Sequence, residues 1–542
     1  MINKKDHFGF SVGSEIPSTV IYKGIKGGLD LLVRKRFTVT ILLVFFVFVI
    51  IAINLFSTVE IFKKETAVYG GTDYIRGNIL DRNGDVLATN LSTKNLYSNS
   101  TKILDATESA KGLVKAFPDL KYDEVYKKLT NKKTFTYIKK KLTPAEEHKV
   151  KLIGDPGLLF EESQERVYPL GKGTAHVLGI VDSENNGVFG IENMFNEQLK
   201  GKATNVSVSI DSRIQNIVYK ILSNAVERFQ AKGAAVLLMN PNTGEVLAMV
   251  SLPAFDPKDI GAYNDDAKFN KVTQGVYELG SVFKLFNTAA ALEFGVSETK
   301  KFEVWKPIKL GRFTITDFHR MKEQYATMED ILAKSSNIGS VHIVEEMGIE
   351  HQRQFLDKMS LLSPMKSEFK VAPPILPKTW NKASAYSVSY GYTISMSPYQ
   401  YLTSMNAFAN GGFYIYPRFD VAIAGESLRG HKVVEKELSD KMRGYMARVM
   451  LDGSGQWSRV RGINLGGKTG TANKLINGSY ANKAVQTTFV SAFPIENPRY
   501  TLFVMFDEPK EKPGVHGRTA GANAAPVTKE IIESIYHLLD FE

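Results

Sequence analysis

The chain has 542 residues, of which 43% are hydrophobic and 23% are charged. This balance is ordinary for globular proteins and excludes a disordered or collagen-like chain, and at roughly 150 residues per domain the length predicts two to four domains. Lys and Arg outnumber Asp and Glu by 68 to 57, a net charge of +11, which suits an anionic surface such as a membrane without requiring nucleic acid. Cysteine is absent, which excludes thiol nucleophiles, Cys-ligated zinc and disulfides.

The first predicted element is a membrane-spanning helix. No charged residue occurs from Phe37 to Val59, and Ile41–Ile53 is almost wholly aliphatic or Phe. About 20 helical residues cross a bilayer core of ~30 Å. The run is too long for a cleaved signal peptide, and no small-residue cleavage site follows it. Basic residues are concentrated before the run, so the positive-inside bias puts the N-terminus in the cytoplasm and the remainder outside. The sequence thus predicts a single-pass anchor, with residues 1–36 as a cytoplasmic tail and 37–57 as the span.

Beyond about residue 205, the pattern predicts an α+β fold with an antiparallel sheet covered by helices. Alternation with period two predicts a strand over Val206–Ile210. Asp211 is placed to cap the helix that follows, whose apolar residues recur at i, i+3, i+4 and i+7. Two strands are predicted next, at 234–239 and 245–252. After a long and mostly helical middle, two more strands are predicted at 487–493 and 500–506, followed by a last amphipathic helix at 527–539.

The first of three short motifs is Ser281–Lys284, which follows Gly280 and opens an apolar run. This pattern puts Ser281 at a helix N-terminus, where residues i and i+3 share a face, so the Lys284 amine can reach the Ser281 hydroxyl. Serine becomes an effective nucleophile when an adjacent base takes its proton. For Lys284 to be that base, its pKa must fall about three units from ~10.4, a cost of roughly 4 kcal/mol to be supplied by burial and a neighbouring cation. Alone, Ser and Lys at this spacing are common by chance.

The other two motifs carry hydroxyl, amide and amine groups. In Ser335–Asn337, a hydroxyl and a carboxamide two residues apart can line one side of a cleft. Ser335 could relay a proton there, and Asn337 could hold a substrate amide. In Lys468–Ala472, a Lys beside two Thr hydroxyls on a strand edge would bind a carboxylate, and Gly470 would let another chain approach closely.

Residues 462–469 also match the phosphate-binding loop G-x-x-x-x-G-K-T. That loop requires a strand before it and a helix after it, whereas polar residues precede this segment and poor helix formers follow it. The predicted topology also places it outside the cytoplasm, away from nucleotide. A phosphate loop is therefore rejected. The nine histidines form no metal-binding pattern, so the sequence predicts no metal and no cofactor, and it contains no nucleic-acid motif.

In this order, the motifs resemble the S-x-x-K, S-x-N and K-T-G set of the penicillin-recognising acyltransferases. Leu279 departs from the family, which usually has Pro there; we expect this to alter loop stiffness and not chemistry. Four earlier segments resemble the non-catalytic domain of class B penicillin-binding proteins: Arg76–Gly84, Arg166–Gly171, His176–Gly179 and Gly190–Asn193. Four later segments are similar to the septal, cell-division branch of that class: Ser335–Gly339, Ser389–Tyr392, Asn410–Gly412 and Gly521–Val527.

The resemblance implies an architecture. It is a penicillin-binding transpeptidase domain of the serine β-lactamase type, with an antiparallel sheet flanked by helices. An N-terminal transmembrane helix and an elongated α+β pedestal precede it. On this basis residues 58–204 form a non-catalytic pedestal of the class B dimerisation type, and 205–542 form the transpeptidase domain.

The resemblance also implies an activity, that of a peptidoglycan D,D-transpeptidase in septal cell-wall synthesis. Ser281 would attack the penultimate D-alanine of a stem peptide and form an acyl-enzyme. Lys284 would take its proton, Ser335 would pass a proton to the leaving D-alanine, and Asn337 would hold the peptide. A β-lactam mimics the D-Ala-D-Ala end and would trap the same serine.

The third motif has its own implied role. Lys468, Thr469, Gly470 and Thr471 would form the subsite that faces the terminal carboxylate of the stem peptide. Backbone N–H groups of Ser281 and Thr471 would form the oxyanion hole, which usually contributes the largest electrostatic stabilisation.

Location and partners follow from the same resemblance. The chain would sit in the inner, cytoplasmic membrane at the division site, with its catalytic domain in the periplasm. Its protein partners would be a membrane glycan polymerase and other division proteins, and nucleic acid would not be a ligand. Three alternatives stay open: an elongation-type class B transpeptidase, a β-lactamase or D,D-carboxypeptidase that uses water as acceptor, and a division scaffold with an inactive catalytic domain.

Overall fold

The computed structural model of the chain describes residues 76–541 except 202–203, 312, 424, 477–478 and 512–517, and before them only a helical stretch at 39, 42–49 and 51. The chain divides into two units at Asp73–Tyr74, and the residues described from 76 onward belong to the second. Most of the predicted span, 37–57, lies outside the described residues. Among the residues that are described, no helix is both long and apolar enough to cross a membrane. The span therefore stays a prediction.

The first region of the second unit is built on a sheet in the order β3-β2-β1-β7, with β4 paired to β2. The strands of this region are β1 (Ile79–Leu80), β2 (Val86–Ser98), β3 (Thr136–Leu142), β4 (Leu158–Val167), β5 (Ile180–Val181), β6 (Gly187–Phe189) and β7 (Val206–Ser207), of which β5 and β6 pair only with each other. Its helices are α1 (Ala106–Ala116), α2 (Tyr122–Leu129), α3 (Pro144–Lys151), α4 (Ala175–Leu178), α5 (Gly190–Met194) and α6 (Asn196–Gly201). Helices α1 to α3 enclose a small core of their own, which includes Leu96, Leu113, Phe117, Leu129 and Ile138.

A buried ion cluster joins three segments of this region that are far apart in the sequence. The Glu192 carboxylate, fully buried, accepts hydrogen bonds from Arg76 Nε at 2.6 Å and Arg166 Nε at 2.7 Å. Arg76 also donates to the Glu192 carbonyl at 2.7 Å. Buried charges are tolerated when they are paired and hydrogen-bonded. The cluster therefore ties together three of the four segments in which the sequence showed a resemblance to a non-catalytic domain.

The second region is centred on a five-stranded antiparallel sheet in the order β16-β17-β18-β8-β9. Its strands, with the short hairpins around it, are β8 (Gly233–Met239), β9 (Val246–Leu252), β10 (Phe302–Glu303), β11 (Ile308–Leu310), β12 (Phe313–Ile315), β13 (Tyr325–Ala326), β14 (Phe413–Ile415), β15 (Gly430–Lys432), β16 (Gly466–Ile476), β17 (Ser479–Phe493) and β18 (Tyr500–Asp507). Its helices are α7 (Ser212–Phe229), α8 (Asp265–Lys268), α9 (Lys284–Glu293), α10 (Met328–Lys334), α11 (Asn337–Met347), α12 (Ile349–Lys358), α13 (Lys382–Ser389), α14 (Pro398–Met405), α15 (Lys436–Asp452) and α16 (Ala524–Ile535).

Helices cover both faces of this sheet. Successive side chains of a strand point to opposite faces. The side chains of β8 therefore pack alternately into two hydrophobic cores, one on each face of the sheet. Val236 and Leu238 pack with α7 and α16, whereas Ala235 and Leu237 pack with α9, α10 and α14. All seven residues of β8 are buried for this reason. The predicted helix-covered antiparallel sheet is confirmed.

The predicted strand Val206–Ile210 is wrong in its extent, since pairing within the sheet is confined to Val206–Ser207. Val208 N–H still donates to Leu80 O of β1 at 2.9 Å, and after it the backbone bonds to other partners: Ser209 N–H donates to Phe419 O at 2.7 Å, and Asp211 N–H donates to Leu247 O at 3.0 Å. The predicted cap is confirmed, because the Asp211 carboxylate accepts from the second and third N–H groups of α7. The last α-helix is Ala524–Ile535 and begins three residues before the predicted start at 527; a 3₁₀ turn, Tyr536–Leu538, continues it almost to the predicted end at 539.

Candidate active site

The three motifs meet around the amine of Lys284. Its Nζ lies 3.0 Å from Ser281 Oγ, 2.7 Å from Asn337 Oδ1, and 2.6 and 3.2 Å from the carbonyl oxygen and Oγ of Ser335. Ser335 Oγ is also 3.0 Å from Lys468 Nζ. A continuous line of hydrogen-bonding groups therefore runs from Ser281 through Lys284 and Ser335 to Lys468.

Ser281 and Lys284 owe their contact to local helical geometry. Gly280–Phe283 forms a 3₁₀ turn that continues directly into α9. In such a turn, side chains three residues apart lie on the same side. Tyr401, fully buried on α14, donates its O–H to the Val282 carbonyl at 2.8 Å and anchors the turn from behind. The predicted placement of Ser281 at a helix N-terminus is confirmed.

Ser335 and Asn337 are presented by a tight turn between α10 and α11. Ser335 is a left-handed residue with φ 63°, a conformation that costs a non-glycine residue of order 1 kcal/mol or more and is concentrated at functional sites. Ser336 then caps α11, its Oγ accepting from Gly339 N–H at 2.9 Å. The reversal at Ser335 lets its carbonyl, its hydroxyl and the Asn337 amide face the same amine.

Strand β16 brings the third motif to the turn through two glycines. A Cβ atom at Gly280, where φ is +60°, would lie 2.7 Å from Thr471 O, and a Cβ atom at Gly470 would lie 2.4 Å from Leu279 O. Both distances are too short for real Cβ atoms, so only glycine lets the two backbones lie this close. Lys468 reaches Ser335 Oγ because of this approach. Leu279 is itself buried.

The other residues of the third motif are held by neighbours. The Thr469 hydroxyl bonds with the Ser454 hydroxyl, and Thr471 Oγ1 accepts from Ala520 N–H at 3.2 Å. Lys468 Nζ also donates to the Thr469 carbonyl at 3.0 Å. Because Lys468 and Thr469 lie inside β16 and not at the start of a helix, the segment does not have the geometry of a phosphate loop.

The electrostatics of the site favour a neutral base. Burial lowers the pKa of Lys284 well below its usual value, and the nearby Lys468 cation lowers it further. Burial also lowers the pKa of Lys468, to about 7. Two ammonium groups joined through one hydroxyl cannot both stay charged at low cost. The lowered pKa favours the amine form of Lys284, which is the form that can take a proton from Ser281.

Two acidic residues beside the site were missed by sequence reasoning. The Asp317 carboxylate accepts from the Ser336 hydroxyl at 2.6 Å and from the Asn337 N–H at 2.5 Å. Glu278 accepts from Thr393 N–H at 2.7 Å, and burial raises its pKa. Asp317 belongs to no motif. Glu278 could have been noticed because it lies three residues before Ser281.

This arrangement has the chemistry of covalent acyl transfer. A serine hydroxyl beside a neutral buried amine is an activated nucleophile. A second amine, reached through a hydroxyl, can return a proton to a leaving group. Across the described part of the chain, no three His, Asp or Glu side chains converge as a metal site.

The comparisons with known proteins agree with this chemistry. Residues 234–533 match the penicillin binding protein transpeptidase domain, and residues 73–234 match the penicillin-binding protein dimerisation domain. A relative in Caulobacter vibrioides, named probable peptidoglycan D,D-transpeptidase FtsI, is 33% identical over 485 residues, which cover 86% of this chain and 81% of the relative.

Other similarities are more distant. Peptidoglycan D,D-transpeptidase FtsI of Escherichia coli is 27% identical, with 86% of this chain and 84% of the relative covered. Stage V sporulation protein D of Bacillus subtilis is 25% identical, with 84% and 77% covered. A crystal structure of a peptidoglycan synthetase from Bifidobacterium adolescentis superposes with a TM-score of 0.66 at 21% identity, covering 85% of this chain and 95% of that one.

Proposed function

The chain belongs to the penicillin-binding proteins, in which a dimerisation domain precedes a transpeptidase domain, and on that premise we propose that it crosslinks peptidoglycan stem peptides during septal wall synthesis. Its enzymatic class is the serine-type D,D-transpeptidase, the activity named for its relatives, and β-lactams are its inhibitors. One observation carries the assignment of the reacting groups. It is the line of contacts from Ser281 Oγ through Lys284 and Ser335 to Lys468.

In the first half-reaction, Ser281 Oγ attacks the carbonyl carbon of the penultimate D-alanine, and its proton passes to Lys284 Nζ. The backbone N–H groups of Ser281 and Thr471 stabilise the oxyanion of the tetrahedral intermediate. The C–N bond to the terminal D-alanine then breaks, and its electron pair stays on the nitrogen. That nitrogen receives a proton through Ser335 Oγ. The products are an ester on Ser281 and free D-alanine.

In the second half-reaction, an amine of a neighbouring stem peptide attacks the ester carbon. Its proton passes into the same relay, and Ser281 Oγ leaves and regains a proton. One amide bond is broken and one is formed, so the crosslink needs no external energy source. Asn337 holds the side of the donor peptide, and its Oδ1 lies 2.7 Å from Lys284 Nζ in the structure.

The third motif supplies the carboxylate subsite, with Lys468, Thr469 and Thr471 facing the terminal carboxylate and Gly470 leaving room for the peptide. A nearby anion favours the charged form of a lysine. The substrate carboxylate therefore raises the pKa of Lys468 from about 7. Charging Lys468 in turn favours the neutral form of Lys284. Substrate binding thus prepares the base that the first step requires.

The septal role rests on the resemblance of Ser335–Gly339 and the later segments to the cell-division branch, and on two relatives that carry the name FtsI. The similarity to a sporulation protein keeps other class B roles as the alternative. A fluorescent fusion to the full chain tests this. Recruitment to midcell with filamentation on depletion is expected, whereas a lateral-wall signal with loss of rod shape would assign the chain to elongation.

We also propose that residues 37–57 anchor the chain in the inner membrane, with 1–36 in the cytoplasm, the pedestal 58–204 and the transpeptidase domain 205–542 outside. A membrane glycan polymerase would contact the span and the pedestal. Exchanging Phe37–Phe56 for an unrelated span tests this contact. Unchanged polymerase activation and unchanged septal recruitment would remove the span from the interface.

The activity itself is tested on the full-length chain in detergent, supplied with uncrosslinked nascent peptidoglycan and the polymerase. Crosslinked muropeptide dimers together with free D-alanine are expected, and both must disappear in Ser281→Ala. Shortened monomers without dimers would indicate a carboxypeptidase. A Ser281→Ala variant that still supports division would favour an inactive scaffold.

A further inference from the structure

The turn that carries Ser335 and Asn337 is held from outside by a two-residue clamp, Thr316–Asp317, which follows β12. Asp317 Oδ1 accepts from the Asn337 N–H at 2.5 Å and from the Ile338 N–H at 3.0 Å. Asp317 Oδ2 accepts from the Ser336 hydroxyl at 2.6 Å. One carboxylate therefore takes three donors at the start of α11.

The same clamp fixes the side chain of Asn337. The Thr316 carbonyl accepts from Asn337 Nδ2 at 2.9 Å. An amide held by its nitrogen must turn its oxygen the other way, and Asn337 Oδ1 indeed lies 2.7 Å from Lys284 Nζ. Thr316 and Asp317 thus determine which end of the amide meets Lys284.

We propose that Asp317 is a positioning residue of the acyl-transfer site, which holds the Ser335–Asn337 turn in register with Lys284 and keeps a negative charge near that lysine. The proposal rests on the proposed transpeptidase function and deepens it. Asp317 touches no reacting atom. It acts through Ser336 and Asn337, both of which it bonds directly.

The charge on Asp317 has a definite electrostatic effect. The charged groups that act on Lys284 are Lys468, from β16, and Asp317, from the segment after β12. Lys468 lowers the pKa of Lys284, and Asp317 raises it. The neighbours Ser281, Ser335 and Asn337 are neutral. Asp317 therefore keeps the Lys284 amine basic enough to accept the serine proton.

The test is the pH dependence of acylation of the full chain by a fluorescent penicillin. The rate rises with pH as the base loses its proton, so its acidic limb follows the pKa of Lys284 in its coupled pair. Asp317→Asn keeps an oxygen that can accept the two N–H groups, but it removes the charge and also the second oxygen that accepts from the Ser336 hydroxyl, so the turn is held less firmly. We expect the acidic limb to move to lower pH by about half a unit or more, with a plateau rate lower by about 10- to 100-fold.

Asp105→Asn is the matched control. Asp105 accepts from two N–H groups at the start of α1, at 2.8 and 3.0 Å, far along the chain from the site. Asn and Asp are equally good at such a position, so both the limb and the plateau should match the wild type. A control that shifted the limb as Asp317→Asn does would overturn the assignment to Asp317.

The pH profile of Asp317→Asn separates the positioning role of Asp317 from its charge role. A lower plateau with an unmoved limb would reduce Asp317 to a structural cap and overturn the charge role, and wild-type behaviour would overturn the whole proposal. If Asp317→Asn fails to melt cooperatively, Asp317→Glu decides. This variant keeps the negative charge but displaces it. The proposal then requires a plateau acylation rate at least about tenfold lower than that of the wild type, with the acidic limb at the wild-type pH. A wild-type acylation rate would refute the positioning role of Asp317. Failure of the wild type to be acylated at all would instead refute the proposed function.

Discussion

Gly470→Ala should separate the two halves of the active site without touching any reacting side chain. The new Cβ atom would lie 2.4 Å from the Leu279 carbonyl oxygen and 3.1 Å from a Val282 methyl group, whereas ordinary contact begins at 3.4 Å. Leu279 directly precedes the 3₁₀ turn that bears Ser281. The methyl group must therefore push this turn away from β16.

The geometry sets the size of the effect. A Cβ that stands 2.4 Å from a backbone oxygen needs about 1 Å of extra separation to reach the 3.4 Å of ordinary contact. The bond from Lys468 Nζ to Ser335 Oγ, now 3.0 Å, would lengthen beyond hydrogen-bond range by a shift of that size. Misplacement of reacting groups by about 1 Å costs on the order of 100-fold in rate. We expect acylation to slow by about that factor.

The assay is the second-order rate constant for acylation by a fluorescent penicillin, with melting temperature recorded alongside. Gly444→Ala is the matched control, because a Cβ there meets nothing within 4 Å and the position lies inside α15. It should acylate at the wild-type rate and gain roughly 0.5–1 kcal/mol of stability. A folded Gly470→Ala protein that acylates at the wild-type rate would refute the argument that glycine is required for this approach.

Two further predictions concern charge. Replacing Glu192 by Ala leaves Arg76 and Arg166 buried without their shared carboxylate, so the free energy of unfolding should fall by about 3–5 kcal/mol; a loss under 1 kcal/mol in urea unfolding would contradict the role of this cluster. Lys468→Met removes the cation that lowers the pKa of Lys284, so that pKa rises. The acidic limb of acylation should then move to higher pH, opposite to Asp317→Asn, and a shift to lower pH would reverse the electrostatic account.

Local geometry made part of the site predictable. Ser281 and Lys284 lie one helical turn apart, so a pattern of apolar residues was enough to place both on one face. Ser335 and Lys468 could be joined to them only by family resemblance. Their meeting depends on the order of strands in the sheet and on the close approach at Gly280 and Gly470, which no local pattern encodes.

The misses have physical causes. Strand Val206–Ile210 has the right alternation, but Val208 forms a bridge with Asp420 and Ser209 N–H donates to Phe419 O, a tertiary competition that periodicity does not register. Asp317 was missed because its importance lies in three donors on another element. Helix α16 was placed three residues too late because its cap, Asn523, was not recognised.

The central claim is that Ser281 is the acylated nucleophile, and the intact mass of the full-length chain after incubation with a β-lactam tests it most directly. Ser281→Ala is the decisive variant, and Ser454→Ala, which removes a hydroxyl bonded to Thr469, controls for loss of a neighbouring hydroxyl. We expect one stable adduct on the wild type and on Ser454→Ala, mapped to the peptide that contains Ser281, and none on Ser281→Ala. An adduct that persists in Ser281→Ala, or a folded wild type that forms none, would contradict it.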